Sequence, residues 1–181
     1  AQLNAEEPVH RQRAATALGQ IGDPGPTQAL VNLLTDPSNQ VRFSAAAALA
    51  TLDQAQGIDF LFQALRNTDS ILRANAVKFL AEVQSQSGSV ESQLISALSA
   101  EAPLARAGAA QVLGQARVQT AVLSLIEATT DKTAEVRVNA IIALGQIGTG
   151  QSRARLESLR TDDDATVAYY AEWALVQLGP S

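Results

Sequence analysis

The chain has 181 residues, a net charge of -5, 46% hydrophobic residues and only 4% aromatic ones, so its core must be built from Ala, Leu, Val and Ile within one compact domain or a short repeat array. The absence of cysteine excludes disulfides, thiolate metal sites and a cysteine nucleophile. A single histidine, His10, leaves almost nothing for a histidine metal site or a Ser-His-Asp triad within one chain, and the acidic balance argues against general nucleic-acid binding.

In chain order, a leading half unit (1–22) holds one helix, preceded by Glu6-Glu7, whose charge favours the helix N-terminus. That helix carries the first of six marker leucines: Leu18, Leu49, Leu80, Leu113, Leu144 and Leu175, spaced 31, 31, 33, 31 and 31 residues. Four residues before each stands alanine: Ala14, Ala45, Ala76, Ala109, Ala140 and Ala171. Offsets of three and four define one helical face. The small alanines are expected to let neighbouring helix backbones approach closely. Gly22-Asp23-Pro24-Gly25-Pro26 breaks the chain before the second unit (about 23–53). In that unit a first helix is marked by Leu30, Leu33 and Leu34, and Asp36-Pro37-Ser38 turns into the second helix. The first-helix leucine recurs as Leu61 (unit 54–86), Leu94 (87–117), Leu125 (118–148) and Leu156 (149–181). Gly88 and Gly148-Thr149-Gly150 mark further breaks. Phe60, Phe62 and Phe79 are expected to pack. Asp162-Asp163-Asp164 precedes the last helix and reads as capping and solvation. The expected architecture is one all-α domain, 1–181: a right-handed α-solenoid of antiparallel helix pairs, each pair burying a face on the next.

The strings Val41-Arg42-x-x-Ala45-Ala46-x-Ala48-Leu49 and Val136-Arg137-x-x-Ala140-x-x-Ala143-Leu144-Gly145-Gln146-Ile147-Gly148 resemble the short HEAT-like repeat of the phycobilin lyase type over roughly 8–179. An arginine recurs seven residues before the marker leucine: Arg11, Arg42, Arg73, Arg106 and Arg137, with Ala168 in the last unit. Six residues before the arginine position stand Asp36, Asn67, Asp131 and Asp162, whereas Ala100 precedes Arg106 and points to Glu101 as its partner. The resemblance implies a structural ladder of charge-assisted hydrogen bonds stitching adjacent turns, preferred over an anion-binding arginine row, with Asp162 open to pairing with Arg137 of the preceding turn.

On the side of each second helix opposite the core lie two rows. Gln12, Phe43, Ala74, Ala107, Val138 and Tyr169 form one, and Thr16, Ala47, Lys78, Gln111, Ile142 and Trp173 the other. Val138, Ile142, Tyr169 and Trp173 then make an apolar patch in a concave groove, with Tyr170 at its rim. Lys78 and Gln111 give polar surroundings. A contiguous exposed apolar patch with Tyr and Trp marks a partner site or a surface that packs against a terminal cap. No catalytic or metal-ligating constellation is expected. His10 reads as packed or end-exposed.

The expected function is a non-enzymatic, cytoplasmic scaffold that binds another protein in this groove. No apolar run reaches the ~18 residues of a membrane span, and no signal-peptide pattern opens the chain. No cofactor is expected on this reading. The resemblance implies an alternative, a phycobilin lyase subunit or phycobilisome-turnover factor. A linear tetrapyrrole would stack on the patch with Lys78 or Arg13 on its propionates, and a phycobiliprotein would be the partner. Nucleic-acid binding is disfavoured because the groove is neutral and apolar apart from Arg13 and Lys78.

Overall fold

The computed structural model describes residues 2–22 and 25–179; Asp23 and Pro24 of the first expected break lie outside the described residues. These residues form eleven α-helices and no strand. The chain divides into two compact units, Ala1–Val90 and Glu91–Ser181. The first holds α1 (Pro8–Ile21), α2 (Thr27–Asn32), α3 (Asn39–Thr51), α4 (Ala55–Ala64) and α5 (Ser70–Ser87). The second holds α6 (Glu91–Ala97), α7 (Pro103–Gln115), α8 (Val122–Ala128), α9 (Ala134–Ile147), α10 (Arg153–Leu159) and α11 (Ala165–Leu178). Successive helices pair as α2/α3, α4/α5, α6/α7, α8/α9 and α10/α11, and the second helices of neighbouring pairs pack side by side: α1, α3, α5 in one unit and α7, α9, α11 in the other.

Local chemistry sets the helix ends. Pro8 and Pro103 open α1 and α7, where a missing N–H costs nothing. Asp69 and Asp164 cap α5 and α11 by accepting backbone N–H bonds from Ile71 and Thr166, both at 2.8 Å. Four residues after the marker leucine the backbone turns left-handed, and glycine suits that position: Gly22 (φ 73°) and Gly148 (φ 77°) donate back to the Leu18 and Leu144 carbonyls. The same register imposes positive φ on Asp53 (54°) and Arg117 (52°), with Gln54 and Val118 donating to Leu49 and Leu113. Neither residue announces a turn by type. In α5 the equivalent residue, Gln84, stays helical; the helix runs one turn further and ends at Gly88 (φ 69°). The spacing of 33 residues falls across this longer helix.

The first-helix leucines Leu30, Leu61, Leu94, Leu125 and Leu156 are fully buried, as are the inner marker leucines Leu49, Leu80 and Leu113. Each such side chain contributes roughly 1.5–3 kcal/mol. Ahead of α1 a 3-10 turn, Gln2–Asn4, sends Leu3 into a cluster with Ala15, Leu30, Leu33 and Leu49.

The close backbone approaches between neighbouring second helices differ from the sequence expectation. They are made by the residue after the marker leucine of one second helix and the residue before it in the next. A Cβ on Gly19 would lie 2.8 Å from Ala48 Cα, and one on Gly114 would lie 2.6 Å from Ala143 Cα. The alanines four before the marker are buried neighbours of these contacts, apart from half-buried Ala14. Between α3 and α5 the same two positions hold Ala50 and Phe79. There Phe43 stacks on Phe79 at 5.8 Å between ring centroids and meets Phe60 edge-on at 5.4 Å. Phe43 stands in a row assigned to the exposed face, yet it is 2% exposed, because two bulky neighbours cover it.

Candidate functional site

The arginine ladder has a geometry that sequence spacing left open. Arg11 grips Asp36 through two parallel bonds, Nε to Oδ2 at 2.7 Å and Nη2 to Oδ1 at 3.0 Å. Arg106 grips Asp131 in the same way at 2.6 and 2.9 Å. Arg137 reaches Asp162 by a single 3.3 Å bond, and its buried Nε has no partner. The acid therefore comes from the next pair, 25 residues on. The other end of each fork secures its own pair. Arg106 Nη1 donates to the Ala100 and Glu101 carbonyls, so Glu101 contributes backbone oxygen and Asp131 is the carboxylate partner that the sequence did not identify. Arg42 and Arg73 make only the local part: Arg42 donates to the Asp36 and Pro37 carbonyls and the Asn39 amide, and Arg73 to the Asn67 and Thr68 carbonyls. At the 25-residue spacing Arg42 meets Asn67, and Arg73 meets Leu98 in sequence.

The acids have a second task. Asp36, Asp131 and Asp162 each accept the backbone N–H two residues on, which shapes the turn into the second helix. The Arg11 guanidinium holds the Asp36 carboxyl below the usual carboxylate range, and Arg106 does the same to Asp131. At Asp164 backbone N–H bonds from Thr166 and Val167 lower it. Asp163 is exposed. Among the described residues no group of three or more His, Cys, Asp or Glu is placed to hold a metal, and His10 is exposed.

Five of the expected partner-binding residues lie on the second helices of the second unit: Gln111 on α7, Val138 and Ile142 on α9, Tyr169 and Trp173 on α11. Lys78 lies on α5 of the first unit, exposed, 3.9 Å from Glu82 and 5.4 Å from the Phe79 ring centroid. Tyr169 is 65% exposed. Val138, Ile142 and Trp173 are half-buried. Trp173 neither stands free nor is wedged into the stack: its edge rests on Gly145, where a Cβ would come within 2.8 Å of the indole Cζ3. Tyr170 is the middle ring of a cluster rather than its rim. It meets Tyr169 edge-on at 5.3 Å and Trp173 at 6.5 Å. Gln111 donates to Asn139 Oδ1 at 2.8 Å, and Asn139 donates to the Glu135 carbonyl. Asn139, 8% exposed, was not singled out by the sequence; its spacing of 28 residues from Gln111 is the only trace of it. Chemically the surface offers flat apolar faces flanked by neutral amides.

A family model described as HEAT repeats matches residues 1–81 and 91–176. No curated protein matches the chain. Among solved structures, human deoxyhypusine hydroxylase in complex with glycerol is 24% identical with a TM-score of 0.54, over 98% of this chain and 71% of that one. An archaeal HEAT-like repeats protein from Thermococcus onnurineus NA1 is 14% identical with a TM-score of 0.50, over 98% and 84%. A computationally designed armadillo repeat protein for modular peptide recognition is 20% identical with a TM-score of 0.50, over 97% and 96%. These likenesses concern the fold alone. With its helix pairs, its glycine-alanine seams and a family match over most of its length, the chain belongs to the HEAT repeat family.

Proposed function

We propose that the protein is a non-catalytic, cytoplasmic scaffold that holds another protein against the second helices of its second unit. The observation that carries this reading is the ring cluster of α11, whose outermost member, Tyr169, is 65% exposed while its base, Trp173, is seated on Gly145. A rigidly supported aromatic that projects into solvent provides contact area at little entropic cost, which is how interface anchors work. The use of a similar fold for modular peptide recognition supports it. The test is affinity capture from the native source with quantitative mass spectrometry, comparing the wild type with Tyr169→Glu. This exposed substitution leaves the indole seat intact. Loss of specific partners is expected; an identical partner set overturns the reading.

The same rings favour a second reading, a phycobilin lyase subunit or phycobilisome-turnover factor, because Tyr169, Tyr170 and Trp173 offer faces on which a linear tetrapyrrole would stack. A phycobiliprotein would then be the acceptor. Mixing with phycocyanobilin should shift its absorption band in the wild type and not in Tyr169→Ala. An unshifted wild-type spectrum overturns it.

A further inference from the structure

Two arginines of the first unit, Arg42 and Arg73, leave the ladder open. In the closed rungs Arg11 and Arg106 hold two carbonyls ahead of their own helix with Nη1 and turn the Nε/Nη2 edge to a carboxylate 25 residues on. Arg42 and Arg73 keep the Nη1 bonds, Arg42 to the Asp36 and Pro37 carbonyls and Arg73 to those of Asn67 and Thr68. Among the described residues no carboxylate pairs with either of them. Both are half-buried.

Asn67 holds the position that would close the Arg42 rung. Its Oδ1 accepts the backbone N–H of Asp69 at 2.9 Å, as Asp36 Oδ1 accepts that of Ser38 at 2.8 Å. This bond fixes the amide, so Nδ2 takes the place of the second carboxylate oxygen. At Asp36 that oxygen receives the Nε of Arg11. By the same register a donor stands where Arg42 needs an acceptor, and Arg42 turns an Nη2 N–H to Asn39 instead. Arg73 brings a second positive charge to this linker, and exposed Arg66 precedes it. The reach of such a second arginine is seen at Asp36, where the charge of Arg42 adds to the fork of Arg11 in holding the carboxyl down. Asp69, the acid next in sequence, is committed to the cap of α5 through the Ile71 and Leu72 N–H groups.

We infer that the Asn67 linker binds a phosphate-type oxyanion in the seat that a carboxylate fills in the closed rungs. Its oxygens accept from Arg42 Nε, from the remaining Arg42 Nη2 N–H and from Asn67 Nδ2, a fork geometry that suits phosphate as well as carboxylate. A phosphate group carrying about -1.5 to -2 charges neutralises Arg42 and Arg73 together, which a single carboxylate does not. The site is independent of the Tyr169 surface and stands or falls without it.

The test is an NMR titration of the isotope-labelled full-length chain, near neutral pH and at constant ionic strength. Inorganic phosphate is one probe and N-acetyl-phosphoserine amide the other. Saturable shifts of the Asp69 amide and the Arg42 Nε–H are expected. Saturation by inorganic phosphate alone assigns the seat to the free ion, and saturation by the monoester assigns it to a phosphorylated side chain. Asn67→Asp supplies the seat with its own carboxylate and should weaken binding by roughly tenfold or more, as should Arg42→Met. Lys132→Gln, an equal charge loss at an exposed position of the second unit, should stay within about twofold of wild type. Circular dichroism checks that each variant is folded. No saturable shift with either probe, the same shifts with chloride, or wild-type affinity in Asn67→Asp overturns the proposal. If Lys132→Gln weakens binding as much as Arg42→Met does, the attraction is diffuse, and the proposal fails.

Discussion

The α7/α9 joint of the second unit and the α3/α5 joint of the first stand at the same register of the repeat, yet they are closed by different means. At α7/α9 a glycine lets two backbones touch, and the Arg106–Asp131 pair bolts the turn beside them. At α3/α5 an alanine replaces the glycine, a phenylalanine replaces the opposing alanine, and Asn67 stands where the carboxylate would be. There the aromatic trio Phe43, Phe60 and Phe79 fills the seam. The repeat thus prescribes that a seam be filled at crystal-like density, not what fills it. Close backbone approach with an ion pair and bulky apolar filling are interchangeable solutions.

The largest effect should come from emptying the aromatic seam. Phe43→Ala is expected to cost about 3–5 kcal/mol, read as a lower urea midpoint by circular dichroism, with hydrogen exchange accelerated in α3 and α5. A loss under about 1 kcal/mol would break the comparison, since the seam would then not depend on its filling. Next comes the opposite perturbation of the other seam. Gly114→Ala puts a methyl 2.6 Å from Ala143 Cα and 2.5 Å from Gln146 Oε1, and should cost about 1–3 kcal/mol. Thermal unfolding no lower than wild type would show that the two backbones part freely.

Acid sharpens the contrast. Asp131 and Asp36 titrate below their unfolded values, so their stabilisation is complete above the ordinary carboxylate range, near 3.9, and is lost as pH falls through it toward the folded values. Urea midpoints between pH 6 and 2.5 should fall less steeply in Asp131→Asn than in the wild type. Equal slopes would separate the pair from stability. The smallest effect is a gain. Asn67→Asp supplies the acid 25 residues beyond Arg42 and should stabilise the protein by under about 1 kcal/mol, read as a higher urea midpoint, an increment that Arg42→Met should cancel in a double-mutant cycle.

Much of this fold can be read in advance because its rhythm is written mostly in buried residues, with only the outer markers Leu18 and Leu175 half-buried. The six leucines and their first-helix counterparts mark both series of helices, and Gly22, Gly88 and Gly148 mark three ends. Asp53 and Arg117 escape such reading: their left-handed turns are set by register, and their residue types give no signal. The ladder shows another limit. The pairing of Arg137 with Asp162 across turns can be anticipated from the sequence, but Asp131 is six residues before one arginine and 25 after another, and only packing decides that the distant Arg106 takes the carboxylate. For the candidate site, five of the six residues assigned to it were found on second helices of one unit, but the roles of the rings were not legible. Tyr170 is central because α11 rotates it onto Trp173, and the indole lies down because Gly145 leaves room for it. Phe43 misled for the same kind of reason. Treating every second helix alike ignores which neighbours are large.

The divided grip of Arg106 ties two turns to one side chain: its Nη1 holds the carbonyls that end one hairpin's linker, and its Nε and Nη2 hold the acid that shapes the next. A hairpin therefore cannot open without stripping a counter-charge from its neighbour. Within the second unit, fraying at one hairpin is therefore passed to the next through Arg106 and Arg137, whereas Arg42 and Arg73, bonded only within their own hairpins, carry no such tie.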